Sequence, residues 1–125
     1  MLIAGSQGTQ TAGGPLSQGK LVRDKIPQII RSKGQEPIAY VADAEEYAAR
    51  LRDKLTEEVA EFFASGNDPE ELADILEVLY ALAEQAGTGA QQLEKLRAAK
   101  AEERGGFADR VIWSGNRPAD AAIKA

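Results

Sequence analysis

Two stretches of the chain carry apolar residues at helical spacing between clear start and stop signals. In the first, Tyr47, Leu51, Leu55, Val59 and Phe62 follow in steps of four, four, four and three, the pattern of one helix face. Asp43 with Glu46 three residues on forms a capping box ahead of it, and Gly66 ends it. Asp68-Pro69-Glu70-Glu71 then supplies an N-cap, a proline at the first helical position and two acids in the first turn. Leu72, Ile75, Leu76, Leu79, Leu82 and Ala83 carry this second helix to Gly87. The loop between them is short enough to require an antiparallel hairpin.

The flanks add shorter elements. Leu21, Val22, Ile26, Ile29 and Ile30 recur at helical spacing, with Asp24 as the N-cap, Pro27 in the first turn and Gly34 at the end. Pro37 to Ala42 is β-favouring and suits a strand or an extended connector. Thr88 with Gln91 opens another helix, through Leu93 and Leu96, that stops at Gly105-Gly106; Val111-Ile112-Trp113 suits a short strand. Residues 1–19, rich in Gly, Ser, Gln and Thr, read as a flexible leader, and residues 114–125 as a polar tail. The expectation is one all-α domain over residues 20–113, an antiparallel bundle of about four helices with at most minor short strands.

Composition changes this picture in one respect. Of 54 apolar residues in 125, 22 are alanine, and Met1, Leu2, Ile3, Leu16 and Ile123 lie in the tails. So few large side chains make a thin core, and association into a homodimer or higher homo-oligomer is expected to complete it. The absence of cysteine excludes disulfides, thiolate metal sites and cysteine nucleophiles. The absence of histidine removes the commonest general base and the usual zinc ligand, so acid–base or metal chemistry must run on carboxylates. No apolar run approaches the roughly 20 residues of a membrane span, and Met1-Leu2-Ile3-Ala4, short and without a basic n-region, is not expected to act as a signal peptide. A cytoplasmic location is expected.

Net charge is −5, unevenly spread. Asp43 to Glu84 holds 13 acids against three bases (Arg50, Arg52 and Lys54), while the remainder holds 12 bases against seven acids. Direct nucleic-acid binding, which calls for one basic face, is not expected. The layout suits a cation held by acids, with bases nearby for an anion; a solvated acidic helix is the plainer alternative.

Helical angles sharpen the choice. With Leu51 at zero and about 100° per residue, Tyr47, Leu55, Val59 and Phe62 fall between about −40° and +80°. Glu58 lands inside that arc near −20°, and Glu61 just outside it near −80°. Glu57, Asp53 and Glu46 fall on the far side, where solvent is expected. On the second helix, with Leu72 at zero, the apolar arc runs from roughly −120° to +40°, with Glu71 near −100° and Asp74 near −160°. Each helix thus puts one carboxylate at its buried edge and another one turn along. An unpaired carboxylate there costs several kcal/mol unless neutralised or bound to a cation. Four oxygen ligands facing one another suit Mg²⁺, with Mn²⁺ as substitute. The alternative is that Glu58 or Glu71 pairs with a Lys or Arg of a neighbouring helix.

Glu58-Val59-Ala60-Glu61 with Glu71-Leu72-Ala73-Asp74 resembles the ExxE…ExxD signature of the MazG-like superfamily of all-α nucleoside triphosphate pyrophosphatases. Lys20-Leu21-Val22-Arg23-Asp24-Lys25-Ile26-Pro27, Glu70 to Val78 and Lys100-Ala101-Glu102-Glu103-Arg104-Gly105-Gly106-Phe107 resemble a small single-domain, house-cleaning branch of it. The resemblance spans Lys20 to Trp113; it departs in the nine residues between Glu61 and Glu71, fewer than in many relatives. It implies Mg²⁺-dependent cleavage between the α- and β-phosphates of a nucleotide, giving monophosphate and pyrophosphate. Glu58, Glu61, Glu71 and Asp74 would hold metal, and Glu57 or Glu58 would polarise the attacking water.

Lys100 and Arg104, four apart on one helix face, suit the leaving pyrophosphate, or serve only as charge at a helix C-terminus. Arg23 and Lys25 are further phosphate candidates, and Lys54 is read as a solvated partner of Glu57 and Glu58. Trp113 and Tyr40 are assigned to the core ahead of base stacking. Two other functions fit the same residues: a phosphoribosyl-ATP pyrophosphohydrolase, and a non-catalytic helical interaction module.

Overall fold

The computed structural model describes residues 19–119; the leader, except Gly19, and the end of the tail lie outside the described residues. The described residues are all-α, with four helices in the order α1 (Ile26–Ser32), α2 (Ala44–Ala64), α3 (Pro69–Gln85) and α4 (Ala90–Arg104). The described residues divide into two compact units, the first ending at Leu93 and the second beginning at Glu94. Among the described residues, no helix is long and apolar enough to cross a membrane.

The hairpin of α2 and α3 forms as its caps require. Asp43 accepts from the Glu46 backbone N–H at 2.9 Å, and Asp68 from that of Glu70 at 3.0 Å, satisfying donors that a helix start leaves open. Between the helices the backbone turns through positive φ at Gly66 (77°) and Asn67 (71°). Asparagine tolerates that region better than most side chains, which keeps the loop short. Within the first unit, α2 and α3 are the two helices whose backbones run side by side.

Three details differ from expectation. The N-cap of α1 is Lys25, with no side-chain cap bond, not Asp24; a turn closed by the Ile26 N–H on the Arg23 carbonyl at 3.0 Å delays the helix start. Residues 37–42 and 111–113 form no strand among the described residues, because neither has a ladder partner for its backbone. Trp113 is no core residue: 76% exposed, it donates from Nε1 to the Gly115 carbonyl and to Asn116 Oδ1. Tyr40 is no core residue either, at 41% exposed, though its hydroxyl is turned inward to Glu46.

The buried apolar set is small, Leu51, Val78 and Ala83. On α3 the side toward Leu72, Leu76 and Leu79 stays exposed, while Val78 is buried and Glu71 and Ile75 are half-buried. The inward face of α3 is therefore rotated toward its acids. Glu71 sits near the middle of the buried arc rather than at its edge.

Candidate functional site

Glu58 is 93% buried, being only 7% exposed, on α2. Its Oε2 pairs with Lys54 Nζ at 3.2 Å, whereas Oε1 is buried without a hydrogen-bond partner. Glu71 of α3 likewise carries a buried Oε1 with no partner. Carboxylate oxygens of Glu58, Glu71 and Asp74 lie within 4.8 Å of one another, as do those of Glu57, Glu58 and Glu61. The four acids expected to act together thus fall into two overlapping groups, with Glu58 in both and Glu61 on the exposed side.

Withdrawal from water, followed by the negative charges of Glu61, Asp74, Glu58 and Asp68, holds the Glu71 carboxyl above the usual carboxylate range. Bases reach part of this charge. Arg23 Nη2 meets Asp74 Oδ1 at 2.6 Å, Lys20 Nζ meets Glu57 Oε2 at 3.3 Å, and Lys54 meets the same oxygen at 3.4 Å. Lys54, expected in solvent, has a side chain only 15% exposed, wedged between two carboxylates one turn along its own helix. The expected alternative, a base from a neighbouring helix, is met in altered form. Glu58 is paired from within α2, and Asp74 from the segment ahead of α1.

Arg23 is thereby brought to the acids; Lys25, also read as a phosphate ligand, is exposed at the α1 cap. Lys100 and Arg104 belong to the second unit, on α4, where both are exposed and Arg104 Nε lies 4.0 Å from Glu103.

A second buried charged group was not expected. Glu46, placed in solvent by helical angle, is 4% exposed, and Arg50 7%. Glu46 Oε2 accepts from the Tyr40 hydroxyl at 2.5 Å and from Arg50 Nε at 3.1 Å. Arg50 Nη1 donates to the Gly19 carbonyl at 3.1 Å. The face of α2 that angles assign to water is approached by residues 19–23 and 38–43, two segments without regular structure that α2 holds through these bonds. The bond to Glu46, with burial second, raises the Tyr40 phenol above its usual range, so at neutral pH it remains a donor. The i,i+4 spacing of Glu46 and Arg50 was visible in the sequence; that chain lies over the pair was not.

Comparison with known proteins adds little chemistry. No family model matches the chain, and no solved structure matches it. An uncharacterized protein of Mycolicibacterium smegmatis is 48% identical over 46 residues, which are 37% of this chain and 47% of that protein. The match therefore spans about half of the relative's length.

Chemically, a buried carboxylate pair with unsatisfied oxygens can share a proton or ligate a hard cation. The residues fit a divalent ion. All donors are carboxylate oxygen, two of them are buried and unpartnered, and the supply comes from both helices of a capped hairpin.

Proposed function

We propose that this chain is a divalent-cation-dependent nucleotide pyrophosphohydrolase of the MazG-like type, cleaving the α–β phosphoanhydride to give monophosphate and pyrophosphate. The observation that carries the reading is the pair of buried, unpartnered oxygens, Glu58 Oε1 and Glu71 Oε1, beside Asp74. Glu58, Glu71 and Asp74 would hold Mg²⁺ or Mn²⁺, with Glu61 completing the set from the exposed side. A bound cation would supply charge neutralisation on the phosphate oxygens and lower the pKa of water.

The chain's own groups supply the rest. Glu57, whose Oε2 is held by Lys20 and Lys54, or Glu58 would polarise the attacking water. Within the first unit Arg23, already beside Asp74, is the phosphate-binding candidate, with Lys25 two residues on. The exposed row of Leu72, Leu76 and Leu79 favours a second copy covering it, which the thin core also favours.

One set of contacts favours the interaction-module reading instead: Lys54 on Glu58 and Arg23 on Asp74 neutralise acids without any ion. The decisive experiment is pyrophosphate release from a panel of canonical and modified nucleoside triphosphates and phosphoribosyl-ATP, with and without Mg²⁺ or Mn²⁺. Metal-dependent release by the wild type, lost in Glu58→Gln with the fold intact, is the expected result. Silence across the panel would overturn the enzyme reading.

A further inference from the structure

A cavity of about 460 Å³ opens between residues 19–24, residues 38–44 and the first turns of α2. That volume falls within the range of small-molecule sites, roughly 300–1,000 Å³. Its walls are largely apolar, with Leu21, Val22 and Ile38 among them, and its polar lining holds the Tyr40–Glu46–Arg50 group together with Lys20, Arg23, Asp24 and Asp43. Apolar walls with a few fixed polar groups are the usual composition of a site for a small organic ligand. The polar groups are fixed here: Glu46 Oε2 joins Tyr40 to Arg50, and Arg50 reaches Gly19 on the opposite wall. The three walls are thus bonded to one another before any ligand arrives.

The cavity is also coupled to the carboxylates. Lys20 and Arg23 line it, and the same two side chains hold Glu57 and Asp74. Along α2, Arg50 and Glu58 are eight residues apart, about 12 Å. A molecule reaching from the cavity to the acids therefore meets an apolar pocket with hydrogen-bonding groups first, then two cations, then the carboxylates. A nucleotide presents its parts in that order: base and ribose, then phosphates, which need both cationic partners and a divalent ion.

We propose that this cavity is the nucleoside subsite, taking base and ribose, with Lys20 and Arg23 as the phosphate ligands between it and the carboxylates. The proposal rests on the nucleotide reading above. It assigns Lys20 a role, and it gives Tyr40, Glu46 and Arg50 the part of holding the subsite open. In the free protein Lys20 and Arg23 serve as counter-ions to Glu57 and Asp74; a cation at the carboxylates frees them for phosphate.

The test uses Ala39→Trp and Ala42→Leu, two substitutions that project bulk from the cavity lining, with circular dichroism to confirm helicity. Each protein is titrated with Mn²⁺ alone, with pyrophosphate plus Mg²⁺, and with α,β-methylene purine and pyrimidine triphosphates plus Mg²⁺. The expected result is unchanged Mn²⁺ and pyrophosphate binding, with analogue affinity reduced at least tenfold in the folded variants. Analogue binding as tight in both variants as in the wild type would overturn the proposal. So would a wild type that binds Mn²⁺ but no analogue, which would leave the cation site standing. A wild type that takes up no Mn²⁺ yet binds analogue in a cavity-dependent way would remove the cation reading and keep the subsite.

Discussion

Two glutamates twelve residues apart on α2, Glu46 and Glu58, are buried to almost the same degree, 4% and 7% exposed, yet their surroundings differ. At Glu46 one carboxylate oxygen serves both a phenol and a guanidinium, and the guanidinium also binds the Gly19 carbonyl. The charge there is matched within the chain, and the bonds fasten two irregular segments to the helix. At Glu58 one oxygen meets Lys54 and the other meets nothing, while Glu71 and Asp74 add charge of the same sign. A buried charge is tolerated when paired and hydrogen-bonded, and is costly otherwise. The first group is therefore complete as it stands, and the second has capacity left for a cation.

The comparison breaks most severely at the matched end. Replacing Arg50 by Leu leaves the buried Glu46 charge without its cation and should cost about 3–5 kcal/mol, read as a lower urea midpoint. A stability close to wild type would mean that the clasp contributes little. Next in size is the response of the unmatched end to an added divalent cation. Free Mg²⁺ at about one hundred times its dissociation constant should stabilise the protein by about 2.7 kcal/mol, seen as a higher melting temperature. Monovalent salt at equal ionic strength should do much less, and equal shifts would contradict a specific site.

A smaller effect follows from Glu71, whose carboxyl is held high by burial and by the acids facing it. A carboxyl with a folded pKa above its unfolded value makes the folded state the tighter proton binder. Its contribution is present below the unfolded pKa and is lost as pH rises through the folded one. In EDTA, Glu71→Gln should therefore gain stability relative to wild type as pH rises above about 4, as followed by urea midpoints. A gap that stays constant with pH would contradict the assignment. Smallest of all is the exposed Glu94–Arg97 pair in the second unit, 2.7 Å apart with both side chains more than half exposed. Glu94→Gln should leave the melting temperature unchanged within error, since such pairs contribute little.

How much of this was readable in the sequence follows from which contacts are local. Asp43, Asp68-Pro69 and Gly66 announced the hairpin because caps and turns depend on a few adjacent residues. Helical angle likewise put Glu58 on the inward face, and Glu71 beside it. The failures came where distant chain decides burial. Glu46 was placed in solvent because angle says nothing of residues 19–23 and 38–43 approaching that face of α2. Lys54 was read as solvated although it is wedged between Glu57 and Glu58. The approach of Arg23 to Asp74 across 51 residues has no sequence period to reveal it.

The central claim is that Glu58, Glu71 and Asp74 bind a divalent cation, and Mn²⁺ titration followed by electron paramagnetic resonance tests it most directly. The wild type should show saturable uptake that Mg²⁺ displaces, with affinity lowered at least tenfold in Glu58→Gln and in Asp74→Asn. Weak, non-saturating uptake that is the same in all three proteins and vanishes in moderate monovalent salt would contradict it.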